Sequence, residues 1–256
     1  MTDFLEKILA EKRQEVAEMV LESPKPVRQV KGLLERLREN PDRLQVIGEV
    51  KRASPSLGAI NLTVDVLAQA KSYEEAGVSA ISVLTDPVFF KGSIEDLRLV
   101  AQNVELPVLN KDFIIDTKQL IRAVNSGATL VLLIVACLDE QVLQSLYDTA
   151  LSLGLEVLVE VHNAAELAAA HRIGAELIGV NNRNLKTFEV DIQNSLELVS
   201  LQQAGRYYIS ESGIKSQIEA EKVAPAFRAV LVGEALMTNG NPTAAAQSLQ
   251  VKRHVD

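Results

Sequence analysis

Apolar runs of about five to seven residues, rich in β-branched side chains, recur along the chain. Between them lie stretches whose apolar residues return every three to four positions. Eight runs stand out: VIGEVKR (46–52), SAISVLT (79–85), PVLNKD (107–112), TLVLLIV (129–135), LEVLVEV (155–161), ELIGVNN (176–182), RYYISES (206–212) and RAVLVGE (228–234). Each reads as a strand. Gly77, Gly127, Gly154, Gly174 and Gly205 stand just before five of them. A glycine there suits the residue that ends a preceding helix, because it tolerates positive φ.

The intervening stretches include VDVLAQAKSYEEA, IEDLRLVAQNV, DTKQLIRAVNS, DEQVLQSLYDTALSL, NAAELAAAHRI and IQNSLELVSLQQ. Their spacing predicts amphipathic helices, with Asp116, Asp139 and Asn163 as N-caps. Strands that are apolar throughout and alternate with helices imply a parallel sheet covered on both faces. Eight such units favour an α/β fold closed into a (β/α)8, or TIM, barrel. The alternative is an open doubly wound sheet, but the GxGxxG fingerprint often found there is absent. The 45 residues before the first strand read as two helices, near 2–21 and 28–39, broken by Pro24 and Pro26. Residues 1–45 are therefore expected to be an N-terminal helical extension packed on the barrel, within a single domain spanning 1–256.

Composition agrees with a large core: of 256 residues, 47% are hydrophobic and 23% charged. No run of 18 apolar residues exists to cross a membrane. The N-terminus lacks the features of a secretory signal, and the one cysteine, Cys137, excludes an internal disulfide. A soluble cytoplasmic protein is expected. With 34 acidic and 26 basic residues the net charge is −8, which should repel nucleic acid and anionic membranes. Any bound anion needs a local cluster of cations or amides.

Such a cluster is present at the strand ends. In a closed barrel, functional residues gather at the C-terminal ends of the strands. Glu49 and Lys51, two apart on the first strand, point to the same face. Lys51 faces the barrel mouth rather than the helix layer, where its charge would be stranded; an internal Glu49–Lys51 ion pair is the bland alternative. Lys111 ends the third strand and Glu160 the fifth. Asn181 and Arg183 follow the sixth, and Glu211 and Ser212 the seventh. Any one of them could be a surface residue at a fraying strand end. Together, Lys51, Lys111 and Arg183 would concentrate positive charge for a polyanionic small molecule. A partly desolvated lysine can donate a proton or act as a nucleophile, and Glu160 could be its acid–base partner.

The motifs SGI (212–214) and VGEALM (232–237) each put a glycine between a strand and a helical stretch. Backbone N–H groups there can approach an anion, and the loops after strands seven and eight of this fold commonly bind phosphate. His162, His171 and His254 show no metal-ligand spacing and no surrounding carboxylate pattern. Cys137 reads as a small buried residue or an inert loop thiol.

These residues, in this order, resemble the indole-3-glycerol phosphate synthase family of the tryptophan pathway. The resemblance covers nearly the whole chain and rests on LEKILAEKRQEV, EVKRASPSLGAI, AISVLTDPVFFKGSIEDL, LNKDFIID, LLIVACL, LVEVHN, IGVNNRNLKTFEVD, SESGI and VGEALM. It implies conversion of 1-(2-carboxyphenylamino)-1-deoxyribulose 5-phosphate into indole-3-glycerol phosphate, with loss of carbon dioxide and water and with no cofactor or metal. It implies Lys111 as general acid in ring closure and Glu160 as acid/base in the dehydration. Lys51 would hold an anionic group and share in proton donation, Glu49 would orient a lysine, and Asn181 would position a hydroxyl or amine. Arg183, Ser54, Glu211, Ser212, Gly213, Gly233 and Glu234 would contact substrate and phosphate. Phe90, Phe113, Leu132 and Leu185 would form the pocket for the anthranilate ring.

Two positions depart from the family pattern. Leu57 stands where many relatives carry lysine, removing a cation from the first loop. Glu234 stands where some carry serine; its backbone N–H is expected to bind phosphate while its carboxylate turns outward. A monomer or weak homodimer is expected. The alternatives are another phosphosugar barrel enzyme such as an isomerase, a Schiff-base aldolase using Lys111, or a non-catalytic phosphate-binding scaffold.

Overall fold

The eight apolar runs form eight parallel strands: β1 (Gln45–Val50), β2 (Ala80–Leu84), β3 (Val108–Lys111), β4 (Leu130–Ile134), β5 (Glu156–Val161), β6 (Leu177–Asn181), β7 (Tyr207–Glu211) and β8 (Ala229–Val232). Each pairs with its sequence neighbour, and β8 returns to β1 through Gln45↔Ala229 to Gly48↔Val232. The sheet is thus a closed barrel. This computed structural model describes residues 4–56 and 58–253, so Leu57 and His254 lie outside the described residues.

Alternation along the strands divides the core into two layers. Val46, Ile81, Val108, Val131, Val157, Ile178 and Val230 face outward into the layer under the helices. Ile47, Leu109, Leu132, Leu158, Leu177, Ile209 and Leu231 fill the barrel interior. The outer layer is covered by α3 (Val66–Glu75), α4 (Ile94–Asn103), α5 (Thr117–Asn125), α6 (Glu140–Ser152), α7 (Ala164–Arg172), α8 (Gln193–Leu198) and α9 (Gln217–Val223). The short α10 (Glu234–Met237) and α11 (Pro242–Ser248) follow β8. Asp116, Asp139 and Asn163 cap their helices as their sequence positions imply, each accepting a backbone N–H. The five glycines before strands adopt φ between 75° and 92°.

The N-terminal extension differs from its sequence reading. Its helices are shorter: α1 is Phe4–Glu18 and α2 is Leu33–Glu39. Residues 28–32, expected in the second helix, are not helical. The Arg28 side chain is committed elsewhere, donating to the carbonyls of Ala101 (2.5 Å), Val104 (2.6 Å) and Leu106 near the end of α4. Helix α2 starts at Leu33 because the Glu156 carboxylate accepts the free N–H groups of Leu33 (2.6 Å) and Leu34 (3.0 Å). Buried Leu33 and Leu37 join the interior layer from the base of the barrel. Helix α1 lies at the opposite end, over the mouth. The predicted helix at 192–203 is also shorter, ending at Leu198 and continuing as a 3₁₀ turn through Leu201. A two-stranded ribbon in the first loop, Ala53–Ser54 with Gly58–Ala59, was not foreseen.

Candidate active site

The polar residues at the mouth are the next inward-facing positions beyond interior apolar ones. Ile47 is followed two residues on by Glu49 and then Lys51. Likewise Leu109 leads to Lys111, Leu158 to Glu160, Gly179 to Asn181, Ile209 to Glu211 and Leu231 to Gly233. Strand pairing levels them, with Ile134↔Glu160 and Asn181↔Glu211 in register. They line a cavity of about 930 Å³, its open mouth included.

Lys111 is the centre of the charge network. Its Nζ stands 3.2 Å from Glu160 Oε2 and 3.5 Å from Glu211 Oε2. Burial alone would strip its proton, but Glu160, Glu211 and Glu49 outweigh that and hold the ammonium above the ordinary lysine range. Burial pushes Glu160 upward too, yet Lys111, His162 and Asn181 overcome it and hold the carboxylate well below its usual range. Glu211 goes the other way. Burial raises it, Lys111 lowers it, and neighbouring Glu160 raises it again, to about 8. Two buried carboxyls sharing one cation do not both ionise readily.

Lys51 Nζ contacts Glu49 Oε1 at 2.6 Å. The internal ion pair and the mouth-facing lysine are therefore the same arrangement. A side chain at Gly233 would collide with Glu49 Oε1, so the glycine after β8 leaves room for this pair. Opposite it, Ser212 and Gly213 adopt successive φ values of 65° and 82°. For Ser212 that is an uncommon conformation. Asn182 holds the turn, its Nδ2 donating to Ser210 Oγ and to the Ser212 carbonyl, both at 3.0 Å.

The apolar wall comes from Phe90, Phe113, Leu132 and Leu185, with Leu84, Ile134, Ile214, Leu231 and Ala235 as further lining residues. Phe90 and Phe113 are a ring pair 6.0 Å apart. Arg183 and Glu234 line the same cavity. Arg183 donates to Ser56 Oγ at 2.9 Å and the Phe188 carbonyl at 3.2 Å. Ser54 lies outside this group. It lines an adjoining pocket with Ser56, Lys51 and Arg183 under Phe4, Leu5 and Ile8 of α1. Phe4 packs edge-on against Phe89 (5.4 Å) and Phe188 (5.1 Å).

Three features of the site were not read from the sequence. Lys215, exposed at the end of the SGI loop, lines the cavity as an extra cation. Lys12 of α1 is fully buried, 2.7 Å from Asp112 and 3.0 Å from Asp86. His162, expected to lack nearby carboxylates, sits between two: Nε2 is 3.3 Å from Glu160 Oε1 and Nδ1 is 3.0 Å from Glu166 Oε2. The signal was available in its neighbours two before and four after, since one shares the strand end and the other the first turn of α7. Cys137 is held as a neutral thiol by burial, with Glu160, Glu166 and Glu6 acting the same way. Among the described residues, no group of three or more His, Cys, Asp or Glu side chains is arranged to hold a metal ion.

Comparison with solved structures supports the fold. A 3-hexulose-6-phosphate synthase from Salmonella typhimurium matches 80% of this chain and 96% of its own, with TM-score 0.65 and 15% identity. An N-acetylmannosamine-6-phosphate 2-epimerase from Clostridium perfringens matches 82% and 93%, with TM-score 0.62 and 13% identity. Sequence relatives are much nearer. An indole-3-glycerol phosphate synthase of Lactococcus lactis subsp. cremoris is 60% identical over 99% of this chain and 97% of its own length. One from Streptococcus pneumoniae is 58% identical over 98% of both. With the family model matching residues 5–249 as well, the chain belongs to the indole-3-glycerol phosphate synthase family.

Proposed function

We propose that Lys111 and Glu160 carry the chemistry of this chain's reaction, with Lys51 and the loops after β7 and β8 holding the anionic substrate. The family's activity makes the chain a decarboxylating lyase of tryptophan biosynthesis that forms indole-3-glycerol phosphate. Its substrate is the phosphorylated, carboxylate-bearing 1-(2-carboxyphenylamino)-1-deoxyribulose 5-phosphate. The observation that carries the division of roles is the Lys111–Glu160 pair, buried at the strand ends beside an apolar wall.

The apolar wall accepts the anthranilate ring, between Phe90, Phe113, Leu132 and Leu185. The amides of Gly213, Gly233 and Glu234 accept the phosphate, aided by Ser212 and Ser54. Arg183 and Lys51 offset the remaining negative charge, and Asn181 fixes a substrate hydroxyl or amine. Lys111, held protonated, donates to the ketose oxygen as the ring carbon attacks. Carbon dioxide then leaves and restores the aromatic ring. Glu160 serves the dehydration that completes the indole. Glu49 orients Lys51.

A Schiff-base aldolase is disfavoured by the same geometry. An amine must be neutral to attack a carbonyl, and the Glu160 carboxylate, with Glu49 beyond it, keeps Lys111 charged. Borohydride with substrate should trap no adduct. The chain is net acidic, and among the described residues no helix is long and apolar enough to cross a membrane, which fits a cytoplasmic protein; a monomer or weak homodimer is proposed with it. Residues 1–45 serve as an extension of one barrel domain rather than a domain of their own.

The test is direct. Substrate and purified protein should give indole fluorescence, and Lys111→Ala or Glu160→Gln should lower turnover at least about 10²-fold. Full activity in both variants overturns the roles. Absence of product with the unaltered chain overturns the function.

A further inference from the structure

Lys111 alone does not distinguish its two carboxyl partners. They lie 3.2 and 3.5 Å from its Nζ, and both are buried. The asymmetry comes from the far side of Glu160. There His162 presents Nε2 at 3.3 Å from Glu160 Oε1. That nitrogen is sealed from solvent and makes no well-aligned hydrogen bond, so Glu160 is the group its charge reaches. Among the described residues, Glu211 has no cation within ion-pair distance other than Lys111.

We propose that His162 is a positioning residue that decides which of the two carboxyls on Lys111 carries a proton: it keeps Glu160 a carboxylate and leaves Glu211 protonated. The proposal rests on reading Glu160 as a working acid–base group. The ring is built into place. Glu166, on the first turn of α7, accepts from both the backbone N–H of His162 (2.8 Å) and its Nδ1 (3.0 Å). Asn163 Nδ2 steadies the other oxygen of Glu166 at 2.6 Å. Nδ1 is thus tied outward and Nε2 is aimed at Glu160.

The surrounding charges agree. On its own strand His162 meets Glu160, and from α7 it meets Glu166. Their combined attraction outweighs burial and lifts the imidazole to about 10, so the ring is a cation throughout the neutral range. Cys137, after β4, is a neutral thiol, with Glu6 of α1 adding a distant negative charge. Across the outer groove shared by His162 and Glu166, the loop after β6 contributes Arg183, Lys186, Glu189 and Asp191. On the inner side, Glu49 adds negative charge around Lys111, and Glu211 adds its own only once it loses its proton near 8. The ring cation is the element of this set that touches Glu160 and not Glu211.

The experiment is a pH titration of the full-length protein labelled with ¹³Cδ-glutamate, comparing the unaltered chain with His162→Asn and Glu166→Gln. In the unaltered chain Glu211 should titrate near 8 and Glu160 should stay ionised across the accessible range. In His162→Asn the Glu160 midpoint should rise into that range and the Glu211 midpoint should fall. Turnover should drop at least about tenfold with little change in KM, and the acid limb of the kcat profile should move to higher pH. Glu166→Gln, which loosens the ring without touching Glu160, should shift both titrations the same way by less. If His162→Asn folds and both titrations stay in place, the proposal is overturned. If it does not fold, unmoved titrations in Glu166→Gln overturn it equally. If Glu160→Gln keeps full activity while the titrations shift as stated, the proposal stands and the catalytic reading of Glu160 falls.

Discussion

The ammonium of Lys12, on the N-terminal helix, lies 2.7 Å from the carboxylate of Asp112, the residue directly after Lys111. The same ammonium reaches Asp86 at 3.0 Å. Asp86 accepts the N–H groups of Phe89 and Phe90, and Asp112 accepts that of Phe113. One buried cation therefore ties α1 to both loops that carry the aromatic wall.

Replacing Lys12 with Met should leave buried Asp86 without a cation and Asp112 with only Arg122 at 3.5 Å, at a cost of about 3–5 kcal/mol in urea unfolding. KM should rise as the Phe90 and Phe113 loops lose their anchor. Burial opposes the charge of Lys12, but Asp112, Asp86 and Glu15 raise its pKa above the ordinary 10.5. A raised lysine stabilises fully below its unfolded value and loses that contribution as pH climbs through the folded one. The stability gap between the two proteins should therefore hold constant across the neutral range and narrow only in strong alkali. A variant as stable as the unaltered chain, with unchanged KM, would contradict this account.

Gly179, on β6, makes room for Glu211: a side chain at this position would collide with Glu211 Oε1. Gly179→Ala should displace the carboxyl from Lys111 and destabilise the fold by about 1–3 kcal/mol through overpacking. Turnover should fall with it. Unaltered kinetics would mean that the carboxyl relocates without consequence.

Glu211 gives the pH profile a basic limb. Below about 8 it is neutral; above that, a further negative charge joins Glu160 and Glu49 at the mouth and repels an anionic substrate. The ratio kcat/KM should decline above about pH 8, and Glu211→Gln should remove the limb. Stability follows the same sign. The folded chain keeps this proton after the unfolded chain has lost it, so the group destabilises progressively as pH rises from the ordinary 4.5 to about 8.

Glu234→Ser tests the one carboxylate expected beside the phosphate. A side chain turned to solvent interacts with a bound anion by about 1 kcal/mol or less, so KM should change by less than about fivefold. Strong tightening would mean that the carboxylate points inward.

The strands, the capping residues and the strand-end charges were legible because each follows from a local rule. Period-two alternation carries Lys111, Glu160, Asn181 and Glu211 inward from apolar residues two positions earlier. The glycines before strands are demanded by one turn of backbone. What escaped the reading depends on pairs distant along the chain. Lys12 carries no local mark of burial, since its partners Asp86 and Asp112 come from other loops. Arg28 gave no sign of leaving a helix to cap another. His162 was weighed against metal-ligand spacing, so its role as a cation between two glutamates was missed. Gly179 read as a strand residue like any other until Glu211 was found leaning over it.

The N-terminal extension also sets the order of events during synthesis. Its segment precedes the barrel in the chain, yet its anchors come later: the Arg28 contacts span 73 to 78 residues, Lys118 reaches Val16 across 102, and Arg228 reaches Leu37 across 191. Such distant closures are entropically late. The extension thus waits on the barrel it covers: α1 can be fastened over the mouth only once α5 and Lys118 exist, and the Leu37 carbonyl at the base meets its arginine only when the segment leading into β8 has been made.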